Sequence, residues 1–180
     1  MKNFIKDLVN LIKIMKLTSE IKYCFFVETN FIYKYLKPYI EKKNINEIVI
    51  ISFYTLKLDN KYKYFSLKTF FFQSLFFLLQ KFTFFITSTP DLGNNYYYKK
   101  SKYNESKYIY IQHSPLSLTK IYKENAFINF DVVQAINRFQ AQELKHINKI
   151  FKKKIKIFKS PYLFLDNSEK KINYSTKCIL

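Results

Sequence analysis

Short apolar runs alternate with amphipathic stretches along most of this chain. The runs at residues 23–28 (YCFFVE), 47–53 (EIVIISF), 81–87 (KFTFFIT), 107–112 (KYIYIQ) and 131–136 (DVVQAI) are nearly continuous in apolar side chains. Strands covered on both faces read this way. Weaker runs at 61–66 and 154–158 bring the predicted strands to seven. Helical spacing occupies 31–43, 69–79 and 138–151, with Asn30 and Asn137 placed to cap the first and last of these helices. Asn44 is a natural stop for the first, and Pro38 inside it predicts a kink or a later start. Strand alternating with helix predicts one α/β domain, Rossmann-like, with a mainly parallel sheet and helices on both faces. Such sheets bind ligands at the carboxyl ends of their strands, so the loops after each strand carry the functional information.

The N-terminal stretch 4–17 repeats Phe4, Ile5, Leu8, Leu11, Ile12 and Met15 at helical spacing, interrupted by Lys6, Asp7, Lys13 and Lys16. No small-residue cleavage site follows, so it does not read as a signal peptide. It predicts an amphipathic helix that either packs on its own domain, the preferred reading, or lies on an anionic membrane surface. The most apolar stretch, 70–86, is shorter than the roughly 20 residues a membrane-spanning helix needs. It also contains Gln73, Ser74, Gln80 and Lys81. It divides into a buried helix and a strand, and no transmembrane segment is predicted.

Composition narrows the partners. The 180 residues carry a formal net charge of +18, which attracts nucleic acid, anionic membranes and phosphorylated substrates. Nearly all of the positive charge is lysine, and Arg138 is the sole arginine. The guanidinium fork that reads bases and phosphates is therefore almost absent, and no specific nucleic-acid partner is expected. Abundant Lys, Asn, Ile, Phe and Tyr point to codon bias and a solvated lysine surface. Cys24 and Cys178 have neither metal-site nor disulfide spacing and read as reduced thiols of a cytoplasmic protein.

Three loops could carry chemistry. The loop 87–95 (TSTPDLGNN) holds the chain's only glycine and offers hydroxyls at a strand's carboxyl end; it also reads as an ordinary turn. The segment 96–103 interleaves tyrosines and lysines, which suits phosphate and base contacts or a solvated loop. The third, 112–119 (QHSPLSLT), places His113 directly after a buried strand, where it could act as a general base or cap the following helix. The other histidine, His146, reads as a surface residue in a helix. One glycine cannot supply a dinucleotide fingerprint or a P-loop, there is no metal-ligand cluster, and no cofactor is expected.

Taken in order, residues 25–28 (FFVE), 87–94 (TSTPDLGN), 99–101 (KKS) and 107–117 (KYIYIQHSPLS), then Tyr122, 126–131 (AFINFD) and Glu143, form a pattern. This series resembles the N-terminal half of CDP-glycerol glycerophosphotransferase-like proteins, relatives of teichoic-acid polymerases. The similarity extends over roughly residues 20–180. It implies a GT-B-type pair of Rossmann-like domains facing a cleft, with this chain on the acceptor side. His113 would be the base. Thr89, Asp91, Asn94, Lys100, Ser101, Ser114 and Ser117 would contact substrate. Where polymerases of this class carry His-Gly, this chain has His113-Ser114. The implied partners are a nucleotide-activated donor (CDP-glycerol or a nucleotide sugar) and a polymer or glycan acceptor. A C-terminal domain or separate chain would bind the donor. The expected division is 1–17 as the N-terminal helix, 18–166 as the acceptor-side domain, and 167–180 as a crossover and the truncated start of a missing second domain. On this reading the chain alone is inactive, and it sits in the cytoplasm or peripherally on the inner membrane face. The competing reading is a non-catalytic basic module for nucleic acid or an anionic membrane.

Overall fold

The computed structural model describes residues 2–93 and 105–160. The apolar runs become β1 (Tyr23–Phe26), β2 (Ile48–Ser52), β3 (Tyr64–Ser66), β4 (Phe84–Thr87), β5 (Lys107–Tyr110), β6 (Val132–Ala135) and β7 (Lys156–Lys159). They form one seven-stranded sheet in the order β3-β2-β1-β4-β5-β6-β7, and every neighbouring pair is parallel. The helices are α1 (Lys2–Leu17), α2 (Asn30–Glu41), α3 (Phe70–Leu79), α4 (Leu118–Ile121) and α5 (Arg138–Ile150). The fold is the Rossmann-like α/β architecture that the alternation predicts.

Successive strand residues point to opposite faces, and this splits the core in two. Cys24, Phe26, Val49, Ile51, Phe85 and Tyr108 face a cluster built with α1, α3 and α5. Phe25, Ile48, Ile50 and Ile86 face α2. Rings from three elements meet in the first cluster, with Phe26, Phe77 and Phe85 separated by centroid distances of 5.4–5.9 Å. Each buried phenylalanine contributes about 2–3 kcal/mol of transfer free energy. Among the described residues the second face is less fully covered. Beyond α2 lies a cavity of about 720 Å³ lined by Tyr23, Phe84, Ile109, Val132 and Ile157, with Lys42, Lys43, Lys156 and Lys159 among its walls.

Local details depart from expectation in physically readable ways. The strands stop short of several predicted carboxyl ends, so Val27, Glu28, Ile111 and Gln112 lie past the sheet. Thr29, and not Asn30, caps α2: its backbone is extended and its hydroxyl accepts the Ile32 amide at 3.2 Å. Asn30 is already helical, and its side chain accepts the Lys57 amide instead. The helix starts there and runs on through buried Pro38 to Glu41, giving up one internal hydrogen bond and not beginning later. Asn137 caps α5 as expected, accepting from Gln140, and His146 is exposed.

The N-terminal helix does pack on the domain, but with an unexpected face. Leu11 and Ile14 are buried, and so is Asp7, at 1% exposure. The Asp7 carboxylate accepts the Lys68 and Thr69 amides at 2.9 and 2.6 Å. Thr69 makes no side-chain cap of its own. Asp7 therefore caps α3 from another helix, where negative charge is favoured by the exposed amides. Among the described residues no helix is long and apolar enough to cross a membrane.

Candidate functional site

The strand order reverses between β1 and β4, since β1 leads leftward to β2 and β4 rightward to β5. This opens a crevice at their carboxyl ends. Glu28 stands just past β1 and Thr89 just past β4, and the Thr89 hydroxyl donates to Glu28 Oε2 at 3.1 Å. Ser88 is buried, and its hydroxyl donates to the Ile111 carbonyl at 2.7 Å. That bond pins the β4 loop to the chain leaving β5.

His113 follows on that same chain. It is half-buried and sits among tyrosines from three elements. Tyr110 Oη lies 3.3 Å from Nδ1 and Tyr122 Oη lies 3.2 Å from Nε2. The Tyr35 ring of α2 packs 5.9 Å from the imidazole. The Tyr110 hydroxyl donates to Gln112 Oε1 at 3.2 Å. Each ring nitrogen thus has a tyrosine hydroxyl within hydrogen-bond reach. Burial pulls the His113 pKa below 6.5, and hydrogen bonding to the Ser88 backbone opposes this. Burial therefore favours the uncharged ring. Burial likewise pushes the Tyr122 hydroxyl up, while hydrogen bonding with Tyr110 pulls the other way.

Gln112 supports the ring from beneath. Its Oε1 also accepts the His113 amide, and its own amide donates to Gln134 Oε1. Gln112 Nε2 is buried and has no hydrogen-bond partner among the described residues. The orphaned Oδ1 of Asp91 is in the same condition. Asp91 itself has φ of 59°, the left-handed region that Asp visits more readily than most residues. Its amide donates to the Ala126 carbonyl. Gly93 follows with φ of 81°, which a side chain would resist.

The structure separates the predicted site residues. Thr89 and His113 belong to the carboxyl-end rim. Ser114 lies beside it, but its hydroxyl closes a local turn by accepting the Leu116 amide. The Ser117 hydroxyl is committed to a carboxylate of α5. It and Thr119 donate to Glu143 on α5, which also accepts the Leu118 amide. Burial alone would raise the Glu143 pKa, but these donors outweigh it and hold the carboxyl below 4.5. Glu143 caps α4, so His113 does not play the capping role. Asn94, Lys100 and Ser101 lie outside the described residues.

Sequence reasoning overlooked Glu28, Tyr110 and Tyr122 as members of the site. Glu28 did leave a signal: a carboxylate directly after a buried strand. Tyr122 stood in the resemblance series, but its contact with the imidazole is set by tertiary folding. Among the described residues no cluster of three metal-ligating side chains occurs. The 720 Å³ cavity lies on the sheet face, and His113 is not among its lining residues. No family model, curated protein or solved structure matches this chain.

Proposed function

We propose that this domain is the acceptor-side lobe of a transferase. The transferred group is a polyol phosphate or sugar from a nucleotide-activated donor, and the acceptor is a hydroxyl group of a growing cell-surface polymer. The observation that carries this reading is His113: an imidazole at the carboxyl-end rim, with its Nε2 3.2 Å from a tyrosine hydroxyl. A general base needs that reach and an uncharged ring, which burial favours. The acceptor hydroxyl would take the place that Tyr122 Oη holds and give its proton to Nε2. Its oxygen would attack the β-phosphorus of a donor such as CDP-glycerol, and CMP would leave. Ser114 would donate to one phosphate oxygen, and Thr89 would turn its hydroxyl hydrogen from Glu28 to another. The donor itself is assigned to a second lobe, on this chain or another, facing the same crevice in a GT-B-type pair.

The test is an NMR titration of the full chain with a glycerol-phosphate oligomer. Binding at the rim shifts the His113 ring resonances and leaves exposed His146 unmoved. A Tyr122→Phe variant keeps the response, and Thr89→Ala weakens it. Equal shifts at both histidines would report lysine-driven anion binding and sink the reading. With the second lobe supplied, His113→Ala should abolish transfer while the melting temperature holds.

A further inference from the structure

Parallel sheets are as a rule covered by helices on both faces. Here the two faces differ. Helices α1, α3 and α5 pack on one of them. On the other, α2 is the only helix among the described residues, and the cavity of about 720 Å³ lies beside it. The strand register shows how its floor is built. Phe25, Ile86, Ile109 and Val132 stand side by side on neighbouring strands, and Lys156 ends that row on the edge strand β7. Nearer the amino ends, Tyr23 pairs with Phe84, and their rings stack at 5.3 Å. All of these residues line the cavity. Two of its walls carry charge. Lys42 and Lys43 follow the end of α2, and Lys156 and Lys159 belong to β7. All four are exposed, and among the described lining residues none is acidic. Lys43 Nζ lies 4.6 Å from the centre of the Tyr23 ring, at the edge of the apolar floor.

We propose that this cavity binds a single-chain amphiphilic anion as a free molecule: an alkyl or acyl chain ending in a phosphate or carboxylate. The Phe, Ile and Val floor takes the chain, and the lysines of the two walls take the head. The volume of about 720 Å³ falls within the roughly 300–1,000 Å³ of small-molecule sites. A nucleotide or a sugar fits poorly, since it needs an array of hydrogen-bonding groups that this floor does not offer. The Gln134 side chain on the same face already donates to Tyr39 Oη, at 2.7 Å. A flat bilayer cannot reach a floor sunk beside a helix about 10 Å across. A second copy of this chain would bring its own lysines against these four. The inference stands on register, cavity and charge, and it does not rest on the transferase reading, because His113 is not part of this cavity.

Methyl NMR of the full chain with decyl phosphate below its micellar concentration tests it. The Ile109 and Val132 methyls should shift and saturate, while those of Ile14 and Ile147 in the opposite cluster stay in place. Octyl phosphate should bind roughly ten-fold more weakly, as two fewer buried methylenes require. Inorganic phosphate should leave Ile109 and Val132 unmoved. Replacing Lys42, Lys43, Lys156 and Lys159 by Gln should weaken binding about ten-fold with unchanged melting. Val132→Phe, which fills the floor, should weaken it as well. Equal shifts with decyltrimethylammonium would overturn the proposal, since charge would then select nothing. Shifts spread over both clusters would do the same. So would nuclear Overhauser contacts from Ile109 or Val132 to residues 161–180, or to a second copy, because the floor would then be filled by protein.

Discussion

The rim around His113 and the outer face of α1 and α3 draw on similar residues and resolve them in opposite ways. At the rim, aromatic side chains are held by polar atoms: Tyr110, Tyr122 and Gln112 surround the imidazole, and each has a hydrogen-bond partner. On the outer face, Phe4, Ile5 and Phe71 are largely exposed, and the neighbouring charges are lysines. The first arrangement spends hydrogen bonds to fix a titratable group in one state. The second leaves apolar area unspent.

The largest effect that sharpens this contrast comes from two adjacent residues of α3. Phe72 is 2% exposed and Phe71 59%. Phe72→Ala should cost about 3–5 kcal/mol in urea unfolding, whereas Phe71→Ala should stay within about 0.5 kcal/mol. Similar losses at both would show that the outer face is packed in solution. Next is Asp7→Ala, which removes the borrowed cap of α3 and should cost about 1–2 kcal/mol. Asp7→Asn should recover part of that, read by the same denaturation. Glu143→Ala frees Ser117, Leu118 and Thr119 and should cost about 1 kcal/mol. Faster amide exchange confined to α4 would localise the effect.

The smallest effect depends on pH. His113 is depressed below 6.5 in the fold, so the unfolded chain binds the proton more readily. Its contribution is complete above pH 6.5 and is lost as pH falls from there through the folded value. Glu143 adds a separate loss further down, since its depressed carboxyl stabilises the fold above 4.5 and ceases to as pH falls through its folded value. His113→Gln should flatten the first decline and leave the second. An unchanged first decline would mean that the imidazole is not held neutral by burial.

Much of the fold was legible because parallel strands buried on both faces need unbroken apolar runs, and Val49–Ile51 or Phe84–Ile86 admit no other reading. The N-cap at Asn137 was legible for a local reason, since a short side chain meets an amide three residues on. The Asn30 cap failed on equally local grounds: Thr29 offered a hydroxyl one residue earlier, in extended backbone. At the site, His113 could be found from its place after a strand. That Tyr110 and Tyr122 would meet its ring could not be read there, and Ser117 could not be known to answer to Glu143, 26 residues away.

By itself, then, the sequence determined the class of fold, the strand and helix succession and the histidine at a strand's end. These follow from periodicity and local hydrogen bonding, which act over a few residues. Tertiary structure alone decided the strand order that opens the crevice at Glu28 and Thr89, and the state of the imidazole. It also decided which side of α1 turns inward. Each of those depends on contacts between distant segments: Asp7 finds its partners 61 and 62 residues away, and no pattern within one helix encodes that choice.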